Sequence, residues 1–390
     1  MSSTEAQSWI RIGSSVASEP STAIAEAISN LNLQDPPKLV IVLASPEREL
    51  NAVGVALRDI HPDCAVIGCS TAGEIVTGGA LNRGLVLWAL GGQGIRVTTG
   101  WGDAKTTSLR QAAQQAANCL NQLERLEHTV LLLLSDGLGG DQMEVVRGAY
   151  DIANIDVPLV GGCAGDYLAM QQTQQLHGTT TMSGGVVTAA ITSSQPIGIG
   201  VSHGWRPVSD PMLVTESHGT NLITLDDQPA LDVYLKFFNP PAEVHTDSQA
   251  FSDFAATHPI GIRRRDRIEM RHITSCDQRQ RSLQMVAEVP QGGLAFLSEG
   301  DYNSVLAAAV ESAQTAVAGL EGAPATGLLL FDCVSRKSIF GDQQLQEETA
   351  MISQQCHGIP MAGFYTYGEI ARTHGSGGFH NQTLVTLAFA

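Results

Sequence analysis

The stretch VIGCSTAGEI, Val66 to Ile75, returns near the other end of the chain as MAGFYTYGEI, Met361 to Ile370, so that Gly73-Glu74-Ile75 matches Gly368-Glu369-Ile370. A repeated decamer implies a repeated packing problem, and the apolar spacing around it should then repeat as well. In the first unit, Ile24, Ile28 and Leu31 stand at helical spacing, and KLVIVLAS is a short unbroken apolar run of the kind that forms a buried strand. Ser45 and Pro46 predict the start of a helix carrying Leu50, Val53, Leu57 and Ile60. The strand CAVIG, the decamer and the strand RGLVLWAL follow.

The same grammar occurs twice more. The second unit has Ala116, Leu120 and Leu123 on a helix, the strand HTVLLLLSDG, a helix with Met143, Val146 and Tyr150, then VPLVGGCAGD and GGVVTAAIT. The third has Leu306, Val310 and Val317, the strand GLLLFDC, a helix around Leu345 and Ile352, the second decamer and QTLVTLAFA. The middle unit carries a shortened motif, Gly162-Cys163-Ala164-Gly165-Asp166, that keeps the glycines and an acidic end. These patterns predict an α/β fold with mixed sheets covered by helices, built from repeated helix-strand-helix-strand-strand units. Between about residues 202 and 300 short strands and turns take over: a hairpin closed by Gly219, a turn at Asp226-Asp227, a helix begun at Pro229 and a hairpin in RHITSCDQRQRSLQMVAEV. A boundary near Trp205 to Pro211 gives an N-terminal region, 1–204, with two units, and a C-terminal region, 205–390, with the β-rich insertion and the third unit.

At 390 residues the chain has room for two ordinary cores. The balance of 22 basic against 39 acidic residues gives a net charge of -17, which repels phosphate backbones and anionic lipid and argues against a nucleic-acid partner. Seven cysteines without a CxxC pair suit reduced thiols. No signal-peptide pattern and no span of roughly 18 apolar residues are present, so a cytoplasmic protein without membrane insertion is expected.

Glycine-framed loops between strands permit close approach to a ligand, and both decamers add hydroxyls and a carboxylate. Cys69, Ser70, Thr71, Gly73 and Glu74, with Tyr365, Thr366, Tyr367, Gly368 and Glu369, and Gly162 and Cys163 from the middle unit, form the candidate ligand set. The alternative is that Thr and Glu tie down their own turns. A nucleophile elbow at Ser70 fails on spacing, because the second glycine is Gly73 and no helix signal follows Glu74. A small-molecule enzyme using Ser70 with Glu74 and Glu369 is the rival reading, without an assigned catalytic residue. Asp136 and Asp141, in LLSDGLGGD, lie beyond a strand end where an aspartate can meet a ligand or cap the next helix. No HExxH or HxH metal pattern occurs, and RRRD, Arg263 to Asp266, reads as a solvated turn. His203 in SHGWRP and His380 in GFHNQT, each flanked by glycine and an aromatic, are candidate axial haem ligands.

VIGCSTAGEI, LLSDGL, PLVGGCAGD, GWRPV, LDDQPALDVY and GIPMAGFYTYGEIA with FHNQTLVTLAF, in this order, resemble the FIST family of sensory proteins, with its N-terminal and C-terminal regions. The resemblance runs from about Leu39 to the end of the chain. It implies a non-enzymatic sensory protein that binds a small ligand, with amino acids or similar metabolites among the possibilities. Similarity to stand-alone members further implies haem b, sensing of nitric oxide, control of a partner histidine kinase or a cyclic-di-GMP pathway, and a homodimer. The site is expected between the two halves.

Overall fold

The computed structural model describes residues 8–264, 267–340, 342–373 and 377–390. Arg265 and Asp266 of the RRRD turn lie outside the described residues. The first repeat runs β1 (Trp9–Ser15), α1 (Pro20–Asn30), β2 (Leu39–Ala44), α2 (Leu50–Ile60), β3 (Ala65–Ser70), the hairpin β4 (Glu74–Val76) and β5 (Gly79–Leu81), and β6 (Leu85–Gly91). The second runs β7 (Ile95–Asp103), α3 (Leu109–Ala117), β8 (His128–Ser135), α4 (Gln142–Ala153), β9 (Leu159–Cys163), the hairpin β10 (Gln175–His177) and β11 (Thr180–Met182), and β12 (Gly185–Ser193). The third opens with β13 (Ile197–Ser202) and is then interrupted by the β-rich segment. That segment comprises β14 (Arg206–Pro207), β15 (Met212–His218), β16 (Asn221–Leu225), β17 (Gln228–Pro229), α5 (Ala230–Phe238), α6 (Ser248–Thr257), β18 (Ile260–Arg264), β19 (Arg267–Arg271), β20 (Ile273–Asp277), β21 (Ser282–Met285) and β22 (Leu294–Glu299). The third repeat resumes with α7 (Tyr302–Ala318), β23 (Gly327–Cys333), α8 (Val334–Ile339), α9 (Asp342–Gln355), β24 (Met361–Thr366), the hairpin β25 (Glu369–Arg372) and β26 (Phe379–His380), and β27 (Leu384–Phe389).

Three six-stranded sheets result, and in each the last two strands belong to another repeat. Their orders are β1-β6-β2-β3-β10-β11, β7-β12-β8-β9-β25-β26 and β13-β27-β23-β24-β4-β5. The first repeat therefore gives its hairpin to the third sheet, the second to the first and the third to the second. This cyclic exchange fixes the register of the repeats: Cys69 faces Gln175, Gly162 faces Glu369 and Phe364 faces Glu74 across the exchanged edge.

The sheets enclose one core. Ile41 and Trp88 from the first, Leu132 and Val160 from the second, and Phe331 and Phe389 from the third are buried together. Trp88 Nε1–H also donates to Leu328 O at 3.2 Å, which gives the indole a partner away from water. Helices cover the outer faces: α1 and α2 through Ala27, Val53 and Leu57, α3 and α4 through Ala116, Val146 and Ala149, and α7 and α9 through Val305, Ala313 and Leu345. Burial on both faces explains why Leu39–Ala44 and the run Leu328 to Phe331 are apolar throughout rather than alternating.

Two expectations change in detail. Each repeat begins one strand earlier than the apolar runs suggested, with β1, β7 or β13. These strands are broken by glycine because the first helix of the repeat lies directly on them: a Cβ on Gly13, Gly100 or Gly198 would stand 1.9, 2.1 and 1.9 Å from a helix carbonyl. Moreover, Ser45 does not cap α2, which starts behind Glu49 without a side-chain cap; Ser45 Oγ donates to Gly84 O at 3.3 Å instead. The line drawn at residue 204 falls just after β13, which pairs with β27 of the third repeat. The β-rich segment forms its own nine-stranded sheet around Leu222, Tyr234, Phe251 and Ile260, and Trp205 ties it to the third repeat by donating to Gln382 O at 2.9 Å.

Candidate functional site

The two decamers form matching hydrogen-bonded boxes where the chain leaves its own sheet for the next. Thr71 Oγ1 donates to Glu74 Oε1 and accepts from Gly73 N–H at 3.3 Å, while Gly84 N–H donates to Glu74 Oε2 at 2.8 Å. In the third repeat Thr366 Oγ1 donates to Glu369 Oε1 at 2.6 Å, Gly368 N–H donates to Thr366 Oγ1 at 3.2 Å, and Thr383 N–H donates to Glu369 Oε2 at 3.2 Å. Gly84 and Thr383 each precede the closing strand of their repeat, so each glutamate pins the departing hairpin to the strand that returns. Gly73 and Gly368 take φ of +126° and +156°, and a Cβ on Gly368 would lie 2.4 Å from Phe379 Cζ. The middle repeat solves the same problem with Gln175, whose Oε1 accepts from Gly185 N–H at 3.1 Å and whose Nε2 donates to Thr173 Oγ1 at 3.3 Å. Asp166 occupies the place of the glycine, not of the glutamate.

Both glutamates are fully buried. Burial pushes the Glu74 carboxyl up to about 7, opposed by the Thr71 and Gly84 hydrogen bonds, and raises Glu369 well above the usual carboxylate range. Ser70 Oγ accepts from Gln174 N–H at 2.9 Å. Cys69, Gly162 and Cys163 are buried strand residues; burial raises the Cys69 thiol strongly and the Cys163 thiol to about 12, so neither is a thiolate nucleophile near neutrality. Tyr365 is buried with its ring 5.0 Å from Lys337 Nζ.

A cavity of about 860 Å³ opens between the halves. Its wall combines Gly137, Leu138, Gly140, Asp141, Leu168 and Met170 of the second repeat, strands and α6 of the β-rich segment, and Cys333, Ser335, Tyr367 and Asn381 of the third repeat. Of the candidate ligand residues read from the sequence, Tyr367 alone lines it; Asp141, read as a helix cap or a ligand residue, caps α4, its Oδ1 accepting from Met143 N–H at 3.0 Å, and also lines the cavity. Asn381 was not anticipated. It is 1% exposed, and its Oδ1 has no hydrogen-bond partner. Among the described residues, the carboxylates on the wall are Asp141, Asp253 and Glu288, and no lysine or arginine lines it. Nothing local in the sequence joins these short segments.

His203 and His380 lie outside this wall. His203 Nδ1 accepts from Trp205 N–H at 3.0 Å, and burial lowers its pKa. His380 is buried, its Nε2–H donates to Ala371 O at 2.9 Å, and burial holds it down to about 4. His272 does line the cavity and is held neutral by burial, at about 4. A haem needs an axial ligand facing open space and cations for its propionates. The surroundings of His203 and His380 and the acidic cavity wall do not fit that group. Among the described residues, no cluster of three metal-ligating side chains occurs and no helix is long and apolar enough to cross a membrane.

Two family models match the chain in succession. The FIST N domain matches residues 38–228 and the FIST C domain residues 230–372. Two uncharacterised proteins of Mycobacterium tuberculosis, from two strains, are each 23% identical over 404 aligned residues, covering 97% of this chain and 99% of their own.

Proposed function

The chain belongs to the FIST family, whose domains are small-ligand sensory modules of signalling proteins, and from that premise we propose that the cavity between its halves is the ligand site of a sensory input protein. The observation that carries this is the buried, unpartnered Asn381 Oδ1 on the wall of an 860 Å³ cavity built jointly by both halves. A buried carboxamide oxygen without a partner costs about 1–3 kcal/mol, which a bound polar ligand relieves. The haem-free reading, a receptor for an amino acid or similar metabolite, has more support than the nitric-oxide version, because a cavity lined, among the described residues, by no lysine or arginine offers haem propionates no counter-charge. The output runs through a signalling partner such as a histidine kinase or a cyclic-di-GMP enzyme; a ligand acts on it only through different affinities of the partner for the free and bound forms.

A metabolite screen by thermal shift tests the reading. Ligands that bind the folded form raise the melting temperature, and Ala256→Trp, which fills the cavity from α6, abolishes that rise. Stabilisation that survives Ala256→Trp would place the ligand elsewhere.

A further inference from the structure

The repeats are broken in one revealing place. Gly73 runs directly into Glu74 and Gly368 into Glu369, but Tyr167–Gln174 intervenes between Asp166 and Gln175. This segment is a strap over the cavity. Tyr167, Leu168 and Met170 adopt left-handed backbone with φ of +56°, +64° and +53°, a conformation side-chain-bearing residues avoid. Leu168 and Met170 are nevertheless 53% and 61% exposed, and both line the cavity. The strap is held by many bonds: the Asp166 carboxylate accepts from Met170, Gln171 and Gln172 N–H at 2.9, 2.7 and 3.0 Å, Tyr367 Oη accepts from Leu168 N–H at 2.7 Å, and Tyr167 Oη accepts from Arg83 N–H at 2.6 Å. Two large apolar side chains kept exposed in strained backbone at a cavity mouth mark a contact surface for a ligand.

The polar side chains of the same cavity set the charge of that ligand. Glu288 is shared with Arg147, at 3.1 Å, and Asp253 accepts from Gln249 Nε2 at 2.8 Å; Asp141 uses only Oδ1 for its cap, and Asn381 Oδ1 has no partner. Among the described residues no lysine or arginine lines the wall, Arg147 standing behind it on Glu288, and the net charge of -17 further enriches cations near the surface. We infer that the cavity takes an organic cation, its ammonium or guanidinium group against Asp141 and Asn381 and its apolar body beneath Leu168 and Met170. The inference rests on the cavity being the sensory ligand site and narrows that reading to amines without a carboxylate.

Matched pairs test it: phenethylamine, tryptamine and agmatine beside phenylalanine, tryptophan and arginine, by isothermal titration calorimetry on the full chain. At least one amine binds, more tightly than its parent amino acid by about tenfold or more, since the parent must desolvate an unpaired carboxylate. Asp141→Asn, which keeps a competent helix cap, weakens that amine about tenfold; Met170→Ser weakens it while leaving the melting temperature of the free protein within a degree or two. Parent amino acids binding as tightly as the amines, or no binding by any amine, overturns the inference. An amino acid whose binding is lost in Ala256→Trp would overturn the ligand class and keep the site, whereas binding retained in Ala256→Trp would overturn the site itself.

Discussion

Replacing Glu74 by glutamine should stabilise the protein above neutrality and do little in mild acid. Glu74 is fully buried, and burial raises its carboxyl from 4.5 to about 7 in spite of hydrogen bonds from Thr71 and Gly84. A shift of this size corresponds to about 3 kcal/mol between the two protonation states. The sign follows from proton binding: between about pH 4.5 and 7 the folded state holds a proton that the unfolded state has lost, so stability falls as pH rises through this window and stays reduced above it. Glutamine cannot ionise, and the middle repeat already shows it in this role, with Gln175 Oε1 on Gly185 N–H and Nε2 on Thr173 Oγ1. Urea unfolding of both proteins at about pH 4.5 and about pH 8 isolates the effect, because the other titrating groups cancel in the difference. Near-equal stability in acid and an advantage for Glu74→Gln approaching about 3 kcal/mol at the higher pH are expected. A difference of the same size at both pH values, or an advantage for glutamate at the higher pH, would refute the argument that the carboxylate is buried at a cost.

Gly368→Ala should cost about 2 kcal/mol or more by denaturation midpoint, since the added methyl meets the Phe379 ring in backbone at φ +156° that alanine avoids; an unchanged midpoint would mean that this loop relaxes freely. Arg336→Met strands Asp332 and Glu348, which it holds at 2.6 and 2.5 Å with all three groups buried, and should cost about 3–5 kcal/mol, most of it regained when both acids are also made leucine. Leu168→Gly relieves left-handed backbone on the strap and should raise stability by up to about 1 kcal/mol in the absence of ligand, read as a higher melting temperature. Haem added to the purified protein should give no one-to-one Soret band; a stoichiometric band lost in His203→Ala or His380→Ala would overturn the account of those two side chains.

The α/β class and the triple repeat were legible because burial on both faces leaves unbroken apolar runs such as Leu39–Ala44 and Leu328–Phe331, and because the same joint recurs as Thr-x-Gly-Glu in Thr71–Glu74 and Thr366–Glu369. The meaning of that joint was not legible. Spacing reports that a glutamate follows a left-handed glycine, but not that its hairpin enters a neighbouring sheet, and the hairpin exchange is what commits both oxygens to the fold. Gln175 escaped notice because eight inserted residues separate it from the shortened motif, Tyr167 to Gln174. The leading strands escaped because Gly13, Gly100 and Gly198 remove the apolar side chains by which a strand is recognised. The cavity was legible only at its two best-marked points, Tyr367 in a decamer and Asp141 beyond a strand end; Asn381 and Met170 sit in segments with no periodicity, and only the fold brings them together.

The placement of the strap bears on how a bound ligand is sensed. Tyr167 reaches the first repeat through Arg83, Asp166 and Leu168 reach the third through Tyr367, and Lys337 of the third repeat donates to Ala72 O at 2.9 Å while lying 5.0 Å from the Tyr167 ring. A ligand that settles beneath Leu168 and Met170 therefore acts on the junction of all three repeats, not on a peripheral loop. The hairpin exchange makes that junction mechanically consequential: no repeat completes its own sheet, so an altered joint in one is felt at the edge of another. Packed cores respond to such pressure by choosing between discrete arrangements rather than by gradual deformation. The strain stored in Tyr167, Leu168 and Met170 is small beside the central core, where Trp88, Leu132 and Phe331 are wholly buried. The strap thus joins the cavity to all three repeats through Arg83, Tyr367 and Lys337, and a ligand that binds its two bonding states unequally shifts the balance between them.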